Sequence, residues 1–134
     1  MAIRFIELHP AALGDELKLN TEWVVITNDG RLPFHTRDVV MTVGKRGTAK
    51  KYTLGRIEPG FLLRPGDKVR MLTGRPGVEE HGKPPDDTDD IKNYYLLRQN
   101  VYIVEPQTVL TLMFKGMPIS KAEFDPNSAN GVLG

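Results

Sequence analysis

Six carboxylates fall within one twelve-residue stretch: Glu79, Glu80, Asp86, Asp87, Asp89 and Asp90, offset only by Lys83. Oxygen-rich loops can hold Ca²⁺ with about six to eight ligands. The run Asp86-Asp87-Thr88-Asp89-Asp90 lacks the spaced ligands and mid-loop glycine of a calcium-binding helix–loop–helix. The segment therefore reads first as a solvated charged loop and second as a protein-docking loop. A metal site is the weakest of the three readings, and no metal or other cofactor is assigned.

Opposite charge collects earlier in the chain. Lys45, Arg46, Lys50 and Lys51 surround the turn from Gly44 to Lys51, and Arg56, Arg64, Lys68 and Arg70 extend the patch if their strands are neighbours. Such a cluster could track phosphates or an acidic partner. It equally fits an ordinary hairpin tip, because charged edges protect sheets from unwanted pairing, and no interleaved aromatic residues accompany it to stack bases. Between copies, the basic turn and the acidic segment could complement each other head to tail.

Other chemistry finds less support. His9, His35 and His81 form neither an i, i+4 pair nor a His-x-His pair. The serines, Ser120 and Ser128, lie outside any nucleophile motif. Gly44 and Gly47 are followed by no Gly-Lys-Ser/Thr and no helix, so they do not form a phosphate loop. No catalytic residue is assigned. Among the aromatics, Trp23 is expected in the core. Tyr94 and Tyr95 point to opposite faces of a strand, which leaves one of them free as an interface anchor beside the acidic loop.

Composition narrows the setting. A chain of 134 residues fits one domain, and a domain of that size buries roughly two-thirds of its unfolded surface without a staple. The chain has no cysteine, so disulfides, thiol catalysis and thiolate metal sites are excluded, and a reducing cytoplasm is the expected location. Residues 1–7 include Glu7 and no long apolar core, so no signal peptide is expected. No apolar run reaches the ~20 residues of a membrane span, so no membrane insertion is expected. A net charge of +1 argues against a nucleic-acid binder, which usually carries a marked basic excess.

The elements that must position these groups are strands. Thr21–Asn28 is rich in β-branched and aromatic residues, is apolar on both faces and runs into the turn Asn28-Asp29-Gly30. Further strands are expected over Ile3–Leu8, Arg37–Val43, Lys51–Leu54 and Lys68–Thr73, with a long one over Tyr94–Val104. Val109–Phe114 and Met117–Phe124 should form a hairpin. Residues 11–20 read as a connection, pinned by Leu13, Leu17 and Leu19. Residues 74–91 form a loop too long to be a simple turn. Eight or nine short strands without a convincing helix predict an antiparallel β-sandwich over residues 1–124, followed by a flexible tail over residues 125–134.

Three stretches carry a family resemblance. They are Glu22-Trp23-Val24-Val25-Ile26-Thr27-Asn28-Asp29-Gly30; Tyr52-Thr53-Leu54 with the later run from Phe61 to Gly74; and the late pair around Thr108–Leu112 and Gly116–Phe124. Their order resembles the lamin tail domain family, in the form of a bacterial-type stand-alone member. Two features depart from the family pattern. Arg37-Asp38-Val39 stands where a Gly-Trp pair is frequent, and Tyr94-Tyr95 and Glu105-Pro106-Gln107 occupy a region that often holds a tryptophan and an Asn/Asp-Gly turn. The resemblance implies an immunoglobulin-like sandwich acting as a non-catalytic protein-interaction or self-assembly module. The partner would be another protein or a second copy, and nucleic acid bound at the basic hairpin is the alternative.

Overall fold

The computed structural model describes residues 3–103 and 105–134; Met1, Ala2 and the expected strand end Val104 lie outside them. Among the described residues ten strands form: β1 (Ile3–His9), β2 (Trp23–Asn28), β3 (Phe34–His35), β4 (Val40–Lys45), β5 (Lys51–Arg56), β6 (Leu62–Leu63), β7 (Lys68–Leu72), β8 (Ile91–Tyr95), β9 (Thr108–Phe114) and β10 (Met117–Glu123). One sheet has the order β1-β2-β7-β8, the second β10-β9-β4-β5, and β3 and β6 make a two-stranded pair. The chain is thus an all-β protein of packed sheets, as the turn-rich, strand-patterned sequence predicts.

Alternation explains the core. Val24 and Ile26 from β2, Val69 and Met71 from β7, Met41 from β4 and Leu110 and Leu112 from β9 form one buried cluster, together with Ile3, Phe5 and Leu8 of β1. Each such side chain contributes about 1.5–3 kcal/mol when fully buried. β2 lies between β1 and β7, the central position that its two apolar faces require. The β9–β10 hairpin turns through Lys115 and Gly116, both at positive φ, which matches the twist of two antiparallel strands.

Three expectations change. First, β7 and β8 pair in parallel, so the sandwich is not wholly antiparallel. Parallel neighbours need a crossover of a dozen or more residues, and the acidic segment between them is that crossover. Secondly, β8 begins at Ile91 and ends at Tyr95, well short of the expected Tyr94–Val104 strand, because Leu97 adopts a φ of 60° that extended backbone cannot contain. Thirdly, the segment over 125–134, expected as a tail, makes backbone hydrogen bonds to the sandwich. The Leu8 amide donates to Asn130 O at 2.8 Å, Leu133 N donates to Glu123 O at 2.9 Å, and Phe124 and Val132 form a β-bridge.

Two details of the outer surface also differ. Leu19 is buried, whereas Leu13 is 99 % and Leu17 86 % exposed. Trp23 is half-buried instead of central, since it shares its face with Val25, which lies outside the main cluster. Its indole N–H donates to Glu7 Oε1 at 3.2 Å, its ring stacks on His9 at 3.8 Å, and the Arg70 guanidinium lies 5.6 Å from the ring centre. A partner for the N–H is what a tryptophan at a polar boundary requires.

Glu22 is fully buried. Its Oε1 accepts the Thr73 hydroxyl at 2.7 Å, and Oε2 accepts the amides of Tyr102 at 3.1 Å and Ile103 at 2.9 Å. One carboxylate therefore holds the end of β7 and the chain after β8 to the start of β2. Burial raises its pKa above the ordinary value of 4.5, although the hydrogen bonds from Ile103, Thr73 and Tyr102 pull the other way.

Two predictions arise from this packing. A Cβ on Gly131, whose φ is 77°, would stand 1.9 Å from Leu8 O, so Gly131→Ala should cost about 2 kcal/mol and lower Tm by about 6–10 °C. Gly134→Ala, with nothing near its Cβ, is the matched control, and equal melting of the two would show that the terminal segment carries no stability. Glu22→Gln leaves one oxygen for the two amides and turns an NH₂ toward the Thr73 hydroxyl in place of an acceptor, and should destabilise by about 1 kcal/mol. Because the folded-state pKa of Glu22 is raised, its favourable contribution is complete below the unfolded value and is lost as pH rises through the folded one. Urea unfolding from pH ~4 to ~8 should therefore show the advantage of wild type over Glu22→Gln narrowing as pH climbs; a pH-independent gap would contradict the raised pKa.

Candidate interaction site

The basic residues sit at one end of the β10-β9-β4-β5 sheet. Antiparallel register sets Gly44 opposite Lys51, Lys45 opposite Thr108 and Glu123 opposite Val109. The β4–β5 turn consequently overhangs the start of β9 and the end of β10. Between them lies an open cleft of about 350 Å³, lined by Lys45, Arg46, Thr48, Lys51, Lys121 and Glu123 among others. Two of its cations are already paired, Lys45 with Glu105 at 3.5 Å and Arg46 with Glu123 at 3.1 Å. Lys51 and Lys121 have no ion-pair partner among the described residues, and the ammonium of Lys50 lies 5.2 Å from the Tyr52 ring centre. The residual charge of the cleft is positive.

Charge patterning in the sequence points to Lys45, Arg46, Lys50 and Lys51 but misses Lys121, a single cation on an alternating strand that only sheet pairing brings to the turn. It likewise misses Glu105 and Glu123, which neutralise half of the hairpin. Arg56 pairs with Asp38 at 3.2 Å, and Arg70 is buried with its Nη1 donating to Asn93 Oδ1 at 2.9 Å. Neither is available to extend the basic patch as the sequence allows.

All six acids of the crossover are exposed: Glu79, Glu80, Asp86, Asp87, Asp89 and Asp90. None has an ion-pair partner among the described residues. Glu79 and Glu80 open a 3-10 turn over Glu79–His81, which packs beside the turn at Leu19–Thr21. The crossover is anchored rather than free. Asn20 Nδ2 donates to Arg75 O at 2.8 Å, Asn93 Nδ2 to Pro85 O at 2.7 Å, and Asn93 N to Asp87 Oδ1 at 2.8 Å. Among the described residues no cluster of three or more His, Asp or Glu has metal-binding geometry.

Tyr94 is not a free anchor. Its ring packs 4.9 Å from that of Phe61, its hydroxyl donates to Glu58 O at 2.7 Å, and burial raises its pKa. It faces the core because its register neighbour is Met71. Tyr95 pairs with Leu72 on the opposite face and is half-buried. The histidines serve their local loops. His35 Nδ1 accepts the Arg37 amide at 3.0 Å and His81 Nδ1 the Arg75 amide at 3.1 Å, while His9 Nδ1 donates to Thr21 O at 3.0 Å.

The register fixes where the two charged surfaces lie. Trp23 pairs with His9 and Leu72, and Leu72 with Tyr95, at one end of the β1-β2-β7-β8 sheet. The bond from Leu8 to Asn130, just after β10, puts that end beside the basic turn. Lys68 and Ile91 mark the far end, and Asp86–Asp90 immediately precede Ile91. Asp89 and Asp90 thus lie at the far end of one sheet, with Asp87 drawn back beside Asn93, and the basic cleft lies at the near end of the other sheet. The strands set them roughly 13 Å apart along their length, and stacked sheets add ~10 Å. That separation exceeds the Debye length of ~8 Å at physiological ionic strength, so the lysines of the cleft do not neutralise these aspartates within one molecule.

No protein-family model matches the chain, and no curated protein matches it.

Proposed function

We propose that this chain is a non-catalytic protein-interaction module of self-assembling type, a component of a larger complex or filament. The framework we assign to it is an immunoglobulin-like sandwich of the lamin tail kind. One observation carries the reading: the aspartates before β8 and the lysines of the cleft lie on different sheets, and neither group has an ion-pair partner among the described residues. Complementary patches steer encounter and fix register, and patches that cannot meet within one copy are left to meet between copies. The proposed partner is a second copy or an assembly protein with one matching patch. Sedimentation velocity at about 10 and about 150 mM salt, where the Debye length falls from ~30 to ~8 Å, should show concentration-dependent growth that salt weakens. A monomer throughout both series would refute self-assembly.

A second reading is supported by Lys51 and Lys121, which line the cleft, and by Lys50 next to Lys51, none of which has an ion-pair partner among the described residues. On this reading the basic end binds a polyanion such as nucleic acid. A labelled oligonucleotide should then gain anisotropy in a salt-dependent way, and Lys50→Ala/Lys51→Ala/Lys121→Ala should reduce affinity at least tenfold. No anisotropy change at low salt would eliminate this alternative.

A further inference from the structure

We infer that the cleft between the β4–β5 turn and the end of β10 receives the Asp86–Asp90 segment of a second copy. The contact is heterologous and leaves each added copy with a free patch. This rests on the self-assembly reading and deepens it by naming both surfaces. The cleft is the receptor. Its paired cations, Lys45 and Arg46, are held by Glu105 and Glu123 at the rim, so Lys51 and Lys121 are the charges left to attract a ligand. A small anion is a poor match for a cleft of about 350 Å³ that also presents the carboxylate of Glu123. An extended acidic segment can place carboxylates on two separated lysines and avoid the glutamate.

The crossover supplies such a segment. Asp87 accepts the Asn93 amide, while the carboxylates of Asp86, Asp89 and Asp90 have no ion-pair partner among the described residues. Receptor and segment are different surfaces on different sheets, so each contact joins unlike patches of two copies. A heterologous contact of this kind closes as a ring or grows as a filament. The chain edges favour this route over strand addition. β1 is covered near Leu8 by the terminal segment, β10 carries a bulge and Pro118, and the Leu54 carbonyl of β5 is taken by Arg98.

Two charge reversals test the contact in the full chain. Lys51→Glu/Lys121→Glu removes the receptor, and Asp89→Lys/Asp90→Lys removes the segment. Each variant alone should be monomeric by sedimentation velocity at concentrations where wild type grows, an association at least tenfold weaker. Mixed in equal amounts, they present one native pair of surfaces and one charge-swapped pair that is again complementary, so association should return in the mixture. The neutral pair Lys51→Gln/Lys121→Gln should also weaken growth, and thermal melts verify that every variant folds. If wild type assembles and both reversals assemble equally well, the contact is wrong and self-assembly stands. A monomeric wild type would overturn both, and a mixture that stays monomeric would overturn the heterologous contact.

Discussion

A carboxylate shut off from water is costly unless every acceptor site is used. Glu22 offsets part of that cost with a threonine hydroxyl and two backbone amides, while burial still holds its pKa above the ordinary value. Those donors belong to chain segments far apart in sequence, so satisfying one charge also closes the fold. The start of β2, the end of β7 and the chain beyond β8 must converge on it. Arg98, in the same stretch, reaches across to the Leu54 carbonyl on the other sheet and adds its positive charge to the field at Glu22. The junction sits where the crossover leaves β7 and where the chain returns after β8.

The crossover then becomes more than a connection. Packed by Asn20 and Asn93, it presents its carboxylates from fixed backbone, not from a freely moving loop. Holding it in place lowers the ordering cost that any partner would otherwise meet on binding. The basic end is shaped differently. Half of its cations are offset by nearby glutamates, and the remainder surround a cleft. A chain with 18 basic and 17 acidic residues is close to neutral in total yet strongly polar in arrangement, and arrangement is what an interaction surface reads.

Much of the fold was legible because strand periodicity is local. The apolar faces of Trp23–Asn28, the alternation in Lys68–Leu72 and the Lys115-Gly116 turn each identify an element without reference to its neighbours. The acidic run and the basic turn were legible for the same reason, since charge density is a property of contiguous residues. What periodicity cannot reveal is which side of a strand meets the core. Trp23 has an apolar face and was expected inside, but its indole N–H and its register put it at a half-wet boundary. Tyr94 and Tyr95 were correctly divided between two faces, while the face that would be covered depended on the opposing sheet and on Phe61.

By itself, the sequence determined an all-β chain with two oppositely charged segments and no thiol chemistry. Those properties depend on residue type and on spacing of a few positions. Tertiary structure alone decided that β7 and β8 run parallel, that Lys121 joins the basic turn, that Glu105 and Glu123 mute part of it, and that residues 125–134 seal the edge of β1. Each of these depends on pairing between residues tens of positions apart, where backbone hydrogen bonds and a single buried charge choose among arrangements that local pattern leaves equivalent.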